Sequence, residues 1–94
     1  MVGGFGEVKI PTEDQVAILM GLKGEIEAKV GKEYSNFEAV SVSTQVVAGT
    51  NLRFKVKCGD EYIHAQIHQP LPHTRSPPSL MNAEGGKTAE DPLK

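Results

Sequence analysis

The sequence predicts an α+β domain, one N-terminal helix laid on an antiparallel sheet. Three observations carry that prediction. A capped stretch with one apolar stripe begins at Thr12, strict two-residue alternation fills most of residues 37–69, and only short turns interrupt it. A chain of 94 residues holds one such domain, 1–94, with a thin core.

The helix is predicted from its start signal. Thr12-Glu13-Asp14-Gln15 is a capping-box sequence just behind Pro11, with acidic residues in the first turn. Val16, Leu19, Met20, Ile26 and Val30 then recur at three- and four-residue steps, and Lys29 and Lys32 fall near the far end. Gly21 and Gly24 each cost about 1 kcal/mol relative to alanine, so the middle is the weak point of a single helix. Gly31 is a natural stop.

After Asn36 the period becomes two. Glu38, Val40, Val42, Thr44 and Val46 share one face of a first strand, and Phe37, Ala39, Ser41, Ser43, Gln45 and Val47 share the other. Ala48-Gly49-Thr50-Asn51 supplies turn chemistry. Leu52, Phe54 and Val56 alternate with Arg53, Lys55 and Lys57 in a second strand whose outer face is basic. Following a turn at Gly59-Asp60, Ile63, Ala65 and Ile67 mark a third strand. Pro70 and Pro72 end it, because proline cannot donate to a ladder. A short edge strand is expected at Ser79–Asn82. Residues 1–11, with three glycines, read as a flexible arm, and 83–94 as a loose tail.

Composition excludes several classes of function. Ten basic against twelve acidic residues give a net charge of −2, which offers nothing to a row of phosphates, so no nucleic-acid partner is expected. No apolar run reaches the roughly 18 residues of a membrane span, and no secretory leader is visible at the start, so a cytoplasmic location is expected. A lone cysteine, Cys58, allows no intrachain disulfide and suits a reducing compartment.

Chemistry-bearing residues are few. His64 and His68 share a strand face but lie about 13 Å apart at strand rise, too far for one metal ion, and they read as solvated strand residues. Cys58 follows the apolar face of the second strand and reads as a structural thiol. The Gly-rich arm matches no phosphate-binding pattern. No catalytic residue, metal or cofactor is expected, and the chain does not read as an enzyme.

What stands out is apolar sequence where turns are normally polar. Gln45-Val46-Val47-Ala48-Gly49 runs through a hairpin tip, and Leu71 sits between two prolines. Small uncharged tips lose little on desolvation, and flanking prolines lower the entropy lost on docking. In a meander the first and third turns lie at one end of the sheet, so these two tips are expected to be neighbours. A strand overrunning its core and an ordinary Pro-rich connector are the bland readings of the same residues.

These residues resemble the stefins, the type 1 cystatins. The likeness rests on Gly3-Gly4, Gln45-Val46-Val47-Ala48-Gly49 with Thr50-Asn51, Phe37-Glu38-Ala39-Val40, Lys55-Val56 before the Gly59-Asp60 turn, and Leu71-Pro72-His73. It implies the cystatin fold, a helix wrapped by an antiparallel sheet of four to five strands. The activity it implies is reversible, tight-binding inhibition of papain-like cysteine proteases such as the cathepsins. On this sequence the resemblance assigns Met1, Val2, Gly3 and Gly4 to one side of the protease cleft. Gln45, Val46, Val47, Ala48 and Gly49 form a first wedge, and Leu71, Pro72 and His73 a second. It implies a monomer that can also exchange hairpins into a swapped dimer. The alternative is a non-inhibitory interaction module that binds through the Arg53, Lys55 and Lys57 face. The aromatic-bearing final strand of stefins has no counterpart after residue 75, where Pro77-Pro78 and Gly85-Gly86 stand instead.

Overall fold

The chain order is α1 (Glu13–Gly21), α2 (Lys23–Val30), β1 (Glu38–Val47), β2 (Gly49–Cys58), β3 (Glu61–Gln69) and β4 (Ser79–Lys87). The computed structural model describes residues 6–47, 49–71, 77–88 and 90. All four strands pair antiparallel in the order β1-β2-β3-β4, a meander.

The helix starts where the capping box places it. Thr12 N–H donates to Gln15 Oε1 at 2.9 Å, and Gln15 N–H donates to Thr12 Oγ1 at 3.2 Å. Thr12→Ala is therefore expected to lower stability by about 1 kcal/mol, read from a urea titration. The expected single helix is instead two. Leu22, at φ −108° and ψ 7°, interrupts it, and its N–H closes a tight turn on Leu19 O at 3.0 Å. The break falls between Gly21 and Gly24, where helix propensity is lowest. It also turns Leu22 into the core with Leu19 and Ile26, while Met20, expected in the stripe, is exposed. Gly31 ends α2 in the left-handed region at φ 84°.

Alternation in β2 and β3 is as expected. Leu52, Phe54, Val56 and Cys58 face inward, as do Ile63, Ala65 and Ile67, and the two helices cover them. β1 departs from its expected faces. A register shift between Ala39 and Ser41 inserts an extra residue, so Phe37 and Ala39 pack on the same core as Val42 while Val40 turns outward.

Both chain ends correct the sequence reading. In the arm, Gly6 N–H donates to Thr44 O at 2.8 Å, and Lys9 and Val42 exchange two backbone bonds, each 2.8 Å. Residues 6–9 thus dock along the outer edge of β1 rather than hanging free. The bonds are backbone to backbone, which no side-chain pattern announces. The edge strand expected at Ser79–Asn82 continues to Lys87, so residues 83–87 are not loose tail. Ala83 reaches the core, and Gly85 lies so close to α2 that an added Cβ would stand 2.9 Å from Val30 Cγ1. Pairing with β3 and the cover from α2 hold this polar segment, whose own strand propensity is poor.

A carboxylate fastens the far end of the sheet. Glu61 Oε2 accepts from the Tyr34 hydroxyl at 2.9 Å and from Gly86 N–H at 3.2 Å, while Lys32 Nζ reaches Oε1 at 2.7 Å. Glu27 accepts the Tyr34 N–H at 2.8 Å. The loop after α2 is thereby tied to β3 and to the end of β4.

Candidate functional site

The β1–β2 hairpin and the β3–β4 connection meet at one end of the sheet. Pairing in the hairpin continues through Val46 with Thr50 to Val47 with Gly49. Gly49 has φ 111°, a conformation that side chains rarely adopt. A Cβ built there would stand 2.5 Å from Gln69 O and 3.2 Å from both Pro70 Cα and His68 Cε1. The first tip therefore rests directly on the start of the second connection, leaving no room for a side chain between them.

Two aliphatic side chains are exposed at this end. Val46 is 74% exposed and Leu71 is 39% exposed, large values for aliphatic residues. Val46 keeps the facing of Val42 but projects beyond the core into solvent. Gln45 is half-buried at the base of the tip. Of the residues that the resemblance assigns to binding, Gln45, Val46, Gly49 and Leu71 are brought to one edge, as is the backbone of Val47. Met1, Val2, Gly3, Gly4, Ala48, Pro72 and His73 lie outside the described residues. Lys9 lies beside Val42 and Gly6 beside Thr44, so tracing the chain backward climbs β1 toward the tip.

Sequence reasoning missed what lies beneath the tips. Asn51, read as turn chemistry, is in β2, and its Nδ2 donates to Gln45 Oε1 at 3.0 Å. His68, read as a solvated residue, is half-buried with Nδ1 2.8 Å from Asn51 Oδ1. The signal that could have found them is register: Asn51 pairs with Gln45 on one side and with His68 on the other.

The one cysteine lies elsewhere. Cys58 is buried at the opposite end of the sheet, and burial, with help from Glu61 and Glu27, pushes its thiol up to about 11. A thiol held that high is almost wholly protonated at neutral pH and is a poor nucleophile. Among the described residues no three histidine, cysteine or acidic side chains gather as a metal site. None of their helices is long and apolar enough to cross a membrane.

Similarity to known proteins runs over almost the whole chain. The family profile for the Cystatin domain matches residues 4–90. Leukocyte cysteine proteinase inhibitor 1 of Sus scrofa is 37% identical over 94 residues, covering 99% of this chain and 91% of that protein. Cystatin-B of Homo sapiens is 36% identical over 94 residues, covering 99% and 96%. Stefin-C of Bos taurus is 33% identical over 93 residues, covering 98% and 92%.

Proposed function

We infer that this chain, which belongs to the cystatin family, is a reversible, tight-binding inhibitor of papain-like cysteine proteases of the cathepsin type. One observation carries the reading most directly. Two apolar tips are fused side by side at Gly49 and Gln69–Pro70, with Val46 and Leu71 presented to solvent above them. Among the described residues this edge is blunt and carries no charge, so it fits a cleft and loses little on desolvation.

Inhibition is steric. Papain-like enzymes attack with a cysteine activated by a histidine, and they need a peptide carbonyl held in line with the sulfur. A hairpin tip presents a turn instead of an extended strand, so it covers the nucleophile without offering a bond for acylation. In this reading Gln45, Val46, Val47, Ala48 and Gly49 enter as the first wedge, and Leu71, Pro72 and His73 as the second. Gly3 and Gly4 admit the arm to the other side of the cleft, where Met1 and Val2 occupy substrate subsites. The inhibitor works as a monomer in the cytoplasm, where its one buried thiol needs no oxidising environment.

Titrating papain with the purified protein is expected to abolish activity at close to one equivalent. Full activity at micromolar inhibitor would overturn the assignment. Val46→Asp places on the tip a charge that the cleft must strip of water, and it is expected to raise the inhibition constant by on the order of 100-fold. A parallel assay on an exopeptidase-type cathepsin reads whether the wedge can displace an element that occludes the cleft.

A further inference from the structure

We propose that Gln45, Asn51 and His68 form a positioning rung that holds the two apolar tips in one fixed relation. The proposal rests on the inhibitory reading above and adds residues, Asn51 and His68, that would not themselves touch the protease. Three strands each contribute one side chain, at paired positions immediately below the tips. Asn51 Nδ2 donates to Gln45 Oε1 at 3.0 Å, so Asn51 Oδ1 faces His68 Nδ1 at 2.8 Å. With Oδ1 as the acceptor, the imidazole hydrogen lies on Nδ1. The central amide thus uses both of its ends, and it fixes the orientation of each neighbour.

A second contact links the rung to the tips. His68 Cε1 lies 3.2 Å from where a Gly49 Cβ would stand, and Gln69 O closes the same space at 2.5 Å. The imidazole therefore leans on the backbone of the first tip, while its own strand leads directly into Pro70 and Leu71 of the second. Rotating that ring would move the support under Gly49. The rung is thereby a continuous side-chain link between the strand ends that carry the two tips, and their relative geometry is set there.

Rigidity matters here because the wedge is a loop pair at the end of a sheet, far from Phe54 and the centre of the core. Loose tips would have to be ordered when the cleft closes around them, and that entropy is subtracted from affinity. Losing the rung should act mainly on dissociation, as changes within one interface usually do.

Asn51→Ala removes both hydrogen bonds and is expected to raise the inhibition constant for papain on the order of tenfold, chiefly through faster release. His68→Gln keeps an amide donor facing Asn51 and is expected to inhibit nearly as well as the parent, whereas His68→Phe keeps bulk without a donor and is expected to weaken like Asn51→Ala. Amide hydrogen exchange separates positioning from simple fold damage. In Asn51→Ala, protection should fall at Val46 and Thr50 while Phe54 and Ile63 stay protected. An Asn51→Ala protein that inhibits like the parent overturns the rung, as does a loss of protection spread evenly over β2 and β3. Failure of the unaltered protein to inhibit papain would instead overturn the inhibitory reading itself.

Discussion

A single methyl group at position 49 is expected to disable the wedge. Gly49→Ala puts the first side-chain atom 2.5 Å from Gln69 O, a backbone oxygen that cannot swing aside as a flexible side chain could. The same residue would be held at φ 111°, where a Cβ is strained even in open space. Clash and strain together amount to about 3 kcal/mol, which the fold can relieve only by pushing the first tip off the second connection. Two losses should follow. Thermal unfolding moves down by roughly 15 °C for a domain of this size, and papain inhibition weakens by about 100-fold or more. A β-branched residue such as valine is expected to do at least as much damage, because its γ-carbons enter the same closed space. A Gly49→Ala protein with unchanged inhibition would show that the tips need not touch to work.

The second large effect is expected at Glu61, with a different signature. Glu61→Ala strips the acceptor from the Tyr34 hydroxyl, Gly86 N–H and Lys32 Nζ together. The exposed lysine contributes little to that loss. Tyr34 is buried, and its hydroxyl would be left without this partner, so about 2 kcal/mol is expected to go, roughly 10 °C in unfolding temperature. Inhibition at room temperature should hardly change, because this cluster lies at the end of the sheet opposite the tips.

Titration gives the same cluster a pH signature. The Lys32 ammonium, the Gly86 amide and the Tyr34 hydroxyl hold the Glu61 carboxyl below its ordinary value of 4.5. Its contribution is therefore present above about pH 4.5 and is lost as the pH falls through the lowered value. Tyr34 behaves in the opposite sense. Burial, followed by its bond to Glu61 and the nearby negative charge, pushes it from 10 up to about 12. Cys58, displaced upward mainly by burial, goes from 9 to about 11. Both groups stabilise the fold fully below their ordinary values, and that stability drains as pH climbs from 9 toward 12. Ultraviolet titration should show Tyr34 ionising late, and Glu61→Ala should bring it earlier. If that late ionisation stays where it is in the variant, Glu61 is not what raises it.

The parts of the fold legible in the sequence were those written in side chains. The Thr12 capping box and the inward row of Leu52, Phe54, Val56, Ile63, Ala65 and Ile67 each satisfy a periodic or pairwise rule and stand where the rule puts them. Counting turns in a meander also placed the two tips at one end, and Gly49 indeed lies against Gln69 and Pro70. What escaped was carried by backbone bonds or by tertiary context. The docking of Gly6 and Lys9 uses only main-chain groups. The bulge at Val40 flips a face without altering composition. Leu22 is buried because the helix breaks there, and the glycines beside it marked weakness without stating which way the chain would turn. Asn51 and His68 escaped because their partners are set by cross-strand register, which single-strand patterning does not contain.

The docked arm also bears on how copies of this protein behave when crowded together. A sheet of four strands has two margins, and bare margins invite fibril growth by lending their amides to a neighbouring molecule. On the β1 side the arm occupies part of that margin at Val42 and Thr44. On the β4 side the pairing with β3 slips twice, between Tyr62 and His64 and again between Gln66 and Ile67, so the outer strand is kinked rather than straight. One margin is partly capped and the other is crooked, so each offers a neighbouring molecule a poorer template than a bare, straight strand would.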